Sequence, residues 1–181
     1  MNVLLFCGSP REASITRGMA ALVKEELLNQ DVNVFYFDAF ENQLPLFDGE
    51  KSNNKEVKSL AEAANKADGF FFCTPEYHNG ISGALKNALD YLNKNHFRNK
   101  PTVITSSAGA GKGGVNSLNN LRLVLRGVHS LVLPEQLVCD SAYFNEYGEL
   151  TDEEIKKELN RMVDNLVEQL SEKNNTVIST N

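Results

Sequence analysis

The stretch VLLFCGSPREASITR, Val3 to Arg17, is a strand–loop–helix unit around which the rest of the chain is organised. Its first five residues, Val3-Leu4-Leu5-Phe6-Cys7, are an unbroken apolar run of β-favouring type, which predicts a strand buried on both faces. Gly8-Ser9-Pro10 interrupts it, and from Ile15 apolar residues recur at helical spacing. The connecting loop carries three hydroxyls (Ser9, Ser14, Thr16) and two arginines (Arg11, Arg17). Unpaired N–H groups at the helix start, hydroxyl donors and a guanidinium together suit an anion, best a terminal phosphate monoester. The same residues also compose an ordinary turn and an ordinary cap. No Gly-Lys-Ser/Thr follows, and Gly8 is the only glycine of the loop, so this is neither a triphosphate loop nor a dinucleotide fingerprint.

Outward from this unit the strand–helix alternation repeats. The first helix is expected over 15–29, with Met19, Leu22, Val23 and Leu27 on one stripe, and the second strand over Val32 to Phe37. Ala39 to Ser52 is a long loop holding Leu44-Pro45-Leu46-Phe47, either a lid or interface segment or a packed surface loop. The second helix starts near Asn53, with Glu56 as capping-box partner, and ends near Lys66. Gly69 to Cys73 is the third strand, which Pro75 and the Asn79-Gly80 pair are expected to stop. A helix follows over 82–93, then a fourth strand over Pro101 to Ser107, a glycine-rich loop to Gly114, and a helix over 115–126 that is apolar on more than one side. A fifth strand lies within 130–139, and Thr151, with Glu154 at the third position, opens the last helix. Residues 1–173 thus form one domain, and 174–181 read as a frayed tail.

Five strands alternating with five helices imply an α/β fold, a flavodoxin-like three-layer sandwich whose five-stranded parallel sheet has the order 2-1-3-4-5. In such sheets ligands bind beyond the carboxyl ends of the strands at the switch point, so the loops after strands one, three and four converge on one crevice. That convergence favours the phosphate reading, with Thr74 to Gly80 offering backbone groups to a flat heterocycle.

Composition narrows the function. The chain has 181 residues, a formal net charge of −6 and no basic block, which argues against nucleic acid and anionic membranes. No run reaches membrane-spanning length and no charged leader precedes the first apolar run, so a cytoplasmic protein is expected. Cys7, Cys73 and Cys139 each end an apolar run, the pattern of buried strand residues, not of a disulfide frame or a metal site.

Gly8-Ser9-x-Arg11-x-x-Ser14-x-Thr16-Arg17 resembles the phosphate loop of the NADPH-dependent FMN reductase family. Thr74-Pro75-Glu76-Tyr77-His78 resembles its isoalloxazine loop, Gly83 to Asp90 the helix that follows, and Ser107-Ala108-Gly109 with Lys112-Gly113-Gly114 its third flavin loop. The bacterial azobenzene reductases, which carry His after Pro-Glu-Tyr, are the most similar branch. The resemblance implies bound FMN, NADPH or NADH as co-substrate, and two-electron reduction of quinones, azo compounds or related small-molecule acceptors by alternating turnover. It implies that Ser9, Arg11, Ser14 and Thr16 hold the FMN phosphate. Pro75, Glu76, Tyr77 and His78 would then shape the ring pocket, and Ser107 and Gly109 flank the ring. It also implies a homodimer or homotetramer with the flavin near the subunit interface, through the third and fourth helices.

Hydride chemistry would belong to the cofactor, so no side chain is named as an acid or base and no metal is expected. His78 is either a flavin or acceptor contact or a packed loop residue, Lys112 either a contact for the NADPH 2′-phosphate or a solvated lysine. His96 and Arg98 read as surface residues and His129 as structural. Two other functions fit the same fold: an electron carrier of the flavodoxin type without NAD(P)H activity, and a colourless phosphate-binding regulatory module.

Overall fold

The computed structural model describes residues 1–50, 52–109, 111 and 113–179. β1 (Asn2–Cys7) pairs in parallel with β2 (Asn33–Asp38) on one side and β3 (Gly69–Tyr77) on the other, and β5 (Pro101–Ala108) and β6 (Leu131–Asp140) complete the sheet. The order is β2-β1-β3-β5-β6, with the two-residue strand β4 (Gly80–Ile81) attached to β3 alone. Without β4 this is the expected flavodoxin-like 2-1-3-4-5 arrangement.

The continuous apolar strands serve two cores. Val3, Leu5, Cys7, Phe71, Cys73 and Val103 face α1 (Ile15–Asn29) and α6 (Glu153–Ser179), where Met19, Val23, Leu159, Met162, Val163 and Leu166 are buried. Leu4, Phe6, Phe70, Phe72 and Ile104 face α2 (Lys55–Lys66), α3 (Gly83–Asp90), α4 (Lys94–Phe97) and α5 (Val115–Gly127). Alternate residues of one strand thus enter opposite layers, as the pleat requires. Phe6 stacks on Phe72 with centroids 4.4 Å apart, and Phe97 closes that cluster against Phe70 at 4.6 Å.

Several local expectations change. β3 does not stop before Pro75 but runs to Tyr77, then turns back as a hairpin with Glu76 opposite Ile81 and Tyr77 opposite Gly80. β1 ends at its Cys7–Cys73 pairing, so Pro75 lies where β3 has no partner on that side and a missing N–H is tolerated. The turn residues His78 and Asn79 have φ of +50° and +63°, the two left-handed positions of a type I′ turn. The caps sit one residue later than expected. Asn54, not Asn53, accepts the N–H groups of Glu56 and Val57, and Asp152, not Thr151, those of Glu154 and Ile155. Thr151 instead donates its hydroxyl to the Tyr143 carbonyl at 3.0 Å.

His96 is buried, contrary to its surface reading: α4 packs against α2, and the His96 Nδ1 accepts the Asn93 N–H at 3.0 Å. Arg98 is exposed, and His129 takes φ +63° at the end of α5. The last helix keeps helical backbone to Ser179, and residues 180 and 181 lie outside the described residues, as does Lys112. The loop after β2 is tied to α3 at its middle. Asn87 of α3 donates to the Pro45 carbonyl and accepts the Phe47 N–H, both at 2.8 Å, which leaves Leu46 standing 85% exposed. No helix among the described residues is long and apolar enough to cross a membrane.

Candidate active site

Beyond the carboxyl ends of β1, β3 and β5 lies a cleft of about 290 Å³. Ser9, Arg11, Ser14, Thr16, Pro75, Glu76, Tyr77, Ser107 and Gly109 line it, with Ala13, Ile15, Ala108 and Ser141. These include every site residue expected from the sequence except His78, which is exposed at the hairpin tip. Ser141, in the short 3-10 turn after β6, belongs to no motif and was not foreseeable.

The floor at the α1 end is polar and tightly packed. Ser9, Thr16 and Ser107 are buried, and the Thr16 and Ser107 hydroxyls are 2.6 Å apart. Ser9 Oγ accepts the Arg11 N–H at 3.3 Å. Ser82, which caps α3 by accepting the Leu85 N–H, also donates to the Gly8 carbonyl and so ties the loop to α3. Ser14 is the N-cap of α1, yet its side chain makes no capping bond. The first N–H groups of α1 have no helical acceptor. The Arg11 guanidinium has no protein partner among the described residues and is exposed. An unused hydroxyl, unpaired helix N–H groups and a free guanidinium at one end of a cleft are the donor set a phosphate monoester needs.

The opposite wall is the β3–β4 hairpin. It is fixed on α5 at three points. Glu76 Oε2 accepts the Ser117 N–H at 2.8 Å, Asn79 Oδ1 accepts from Asn116 Nδ2 at 3.1 Å, and Asn120 Oδ1 accepts the Ile81 N–H at 3.4 Å. Gly114, at φ +101°, lets α5 start directly against Val138, where any side chain would clash. At Gly109 a Cβ would meet only Ser141 Oγ, at 3.8 Å, so the backbone leaves the cleft mouth open. Asp140 steadies this third loop by accepting the N–H groups of Ala142 and Gly111, which hold its carboxyl below the ordinary value.

Cys7, Cys73 and Cys139 are fully buried, and burial raises all three thiols, Cys139 to about 12, so none is a nucleophile. No group of His, Cys, Asp and Glu among the described residues is placed to hold a metal.

The profile of the NADPH-dependent FMN reductase family matches residues 1–144. An NADPH azoreductase from Bacillus sp. strain OY1-2 is 38% identical over 155 residues, covering 84% of each chain. An FMN-dependent NADPH-azoreductase from Staphylococcus aureus is 33% identical over 180 residues, covering 92% of this chain and 94% of the other. In three dimensions, the flavoenzyme FerB, an NAD(P)H:acceptor oxidoreductase from Paracoccus denitrificans, superposes with a TM-score of 0.79 at 20% identity, over 94% of this chain and 97% of its own.

Proposed function

Because the chain belongs to the NADPH-dependent FMN reductase family, we propose that it is an FMN-dependent NAD(P)H oxidoreductase whose cofactor lies in the cleft at the ends of β1, β3 and β5. The observation that carries the site assignment is the α1 N-terminus, where Ser14 does not cap and Arg11 is unpaired. Ser9, Arg11, Ser14 and Thr16 would hold the phosphate. Pro75, Glu76, Tyr77 and His78 form the hairpin that walls the ring, and Ser107 and Gly109 flank it from the end of β5. When bound, FMN supplies the two-electron chemistry that links NAD(P)H to an acceptor.

The protein's own contribution is binding, orientation and exclusion of water. None of the cleft's side chains is needed as a proton donor. The open mouth between Gly109 and the hairpin supports alternating use by nicotinamide and acceptor. Azo compounds are the proposed acceptors, from the names of the two bacterial relatives, with quinones as a second class. A cytoplasmic location belongs to the same proposal, and NAD(P)H as the proposed co-substrate supports it. Self-association through α3 and α5 is part of the same reading. Leu123 of α5 is 63% exposed on a groove that Leu89 and Val124 also line, an apolar surface between α3 and α5 that a second copy would cover.

Initial rates with NADPH and an azo dye test the reading. Parallel double-reciprocal lines are expected, since the two substrates use one mouth in turn. Converging lines, or no dye turnover in FMN-loaded protein, would overturn it.

A further inference from the structure

Arg17 lies in the first turn of α1, next to the proposed phosphate site, but does not line the cleft. Its guanidinium is committed elsewhere. Nε and Nη2 donate to the two carboxylate oxygens of Asp38, at 2.7 and 2.9 Å, while Nη1 donates to the carbonyls of Arg11, at 3.0 Å, and Glu12. The guanidinium also covers the Phe40 ring, 5.2 Å from its centroid. Asp38 is 3% exposed and also accepts the Phe40 N–H at 2.9 Å and the Tyr36 hydroxyl at 3.3 Å.

We propose that Arg17 is a positioning residue that turns the 11–13 backbone into an anion site, an inference that rests on the cleft being the FMN phosphate site. Two carbonyl oxygens aimed at a phosphate would repel it. Arg17 draws those of Arg11 and Glu12 to the outer side of the loop. In a trans peptide the N–H points opposite to the C=O, so the N–H groups of Glu12 and Ala13 are turned away from Arg17. Ala13 lines the cleft, and its N–H, turned from Arg17, is a donor that the proposal assigns to the ligand. The pair with Asp38 is neutral overall, so the contribution is geometric. Lysine keeps the charge but lacks the planar fork that reaches a carboxylate and two carbonyls at once.

The test compares FMN with riboflavin, which lacks the phosphate, on deflavinated full-length protein. Dissociation constants and melting temperatures are measured for wild type, Arg17→Lys and Asp38→Asn. Arg17→Lys is expected to weaken FMN by roughly tenfold while changing riboflavin by less than about twofold, because charge-assisted bonds that orient the loop are lost. Asp38→Asn removes a negative charge near the phosphate, so a purely electrostatic role predicts tighter FMN, whereas the positioning role predicts weaker FMN. It also decides the matter if Arg17→Lys does not fold. Equal loss of both flavins in Arg17→Lys, or tighter FMN in Asp38→Asn, would overturn the inference. A wild type that binds FMN no better than riboflavin would instead overturn the phosphate assignment itself.

Discussion

Glu76 on the β3–β4 hairpin caps a helix 41 residues away, its Oε2 accepting the Ser117 N–H at 2.8 Å in the first turn of α5. A carboxylate at that position satisfies an orphan donor and meets the positive end of the helix dipole. Glu76→Ala is expected to lower stability by about 1 kcal/mol, as loss of a cap does, or roughly 2–4 °C in melting temperature for a chain of this size. Glu76→Gln keeps the acceptor and should recover most of that loss. Calorimetry checks both, and an unchanged melting temperature in the alanine variant would show that the cap is not made.

Arg11→Ala should leave the fold intact and weaken FMN, since one charge-assisted phosphate contact contributes about 1.5–3 kcal/mol. Fluorescence titration should show riboflavin unaffected. Undiminished FMN affinity would move the phosphate away from Arg11.

His78 is a turn residue. At φ +50° it occupies the first left-handed position of the type I′ turn, and its side chain is exposed. His78→Asn, a residue suited to that conformation, should leave stability within about 0.5 kcal/mol, whereas His78→Val should cost about 1–2 kcal/mol. Urea unfolding of the two variants checks this. Equal stability would show that the turn does not constrain the position.

Acid sensitivity should separate into two windows. Burial holds the His96 imidazole below its ordinary value of 6.5, and its Nδ1 accepts the Asn93 N–H as a neutral ring. As pH falls below about 6.5 the unfolded chain takes up this proton before the folded one, so stability declines until the folded pKa is passed. Burial raises the Asp38 carboxyl, but the bonds from Arg17 and the Phe40 N–H outweigh it and leave the pKa lowered from 3.8. The stability Asp38 contributes is therefore complete above about 3.8 and lost below, as pH passes the folded value. Urea midpoints between pH 7 and 5 should fall in wild type and stay flatter in His96→Gln. Parallel slopes would contradict the assignment.

The layers were legible because Val3 to Cys7 and Gly69 to Cys73 are apolar without interruption, as strands covered on both faces must be. The cleft was legible because its residues cluster in loops that follow those strands. What escaped depended on tertiary register. The Arg17–Asp38 pair joins residues 21 apart in the chain, and only the pairing of Cys7 with Asp38 across β1 and β2 brings Asp38 to the strand end beside the loop. Pro75 reads as a strand stop until β1 is known to end beside Cys73. Asn53 and Asn54 are equally good caps by residue type, and Thr151 and Asp152 are both cap formers, so residue type alone left the position open by one; the structure uses the second of each pair. Four-residue α4 is too short to show a period, so the burial of His96 had no local sign.

Whether the cleft binds a flavin that exchanges electrons with NADPH is read from an absorbance spectrum followed without oxygen. Flavin bands are expected in the purified or FMN-reconstituted protein, bleaching when NADPH is added and returning when an azo dye follows. Flavin bands that ignore both NADPH and NADH would make the protein an electron carrier, and no flavin uptake at all would contradict the account.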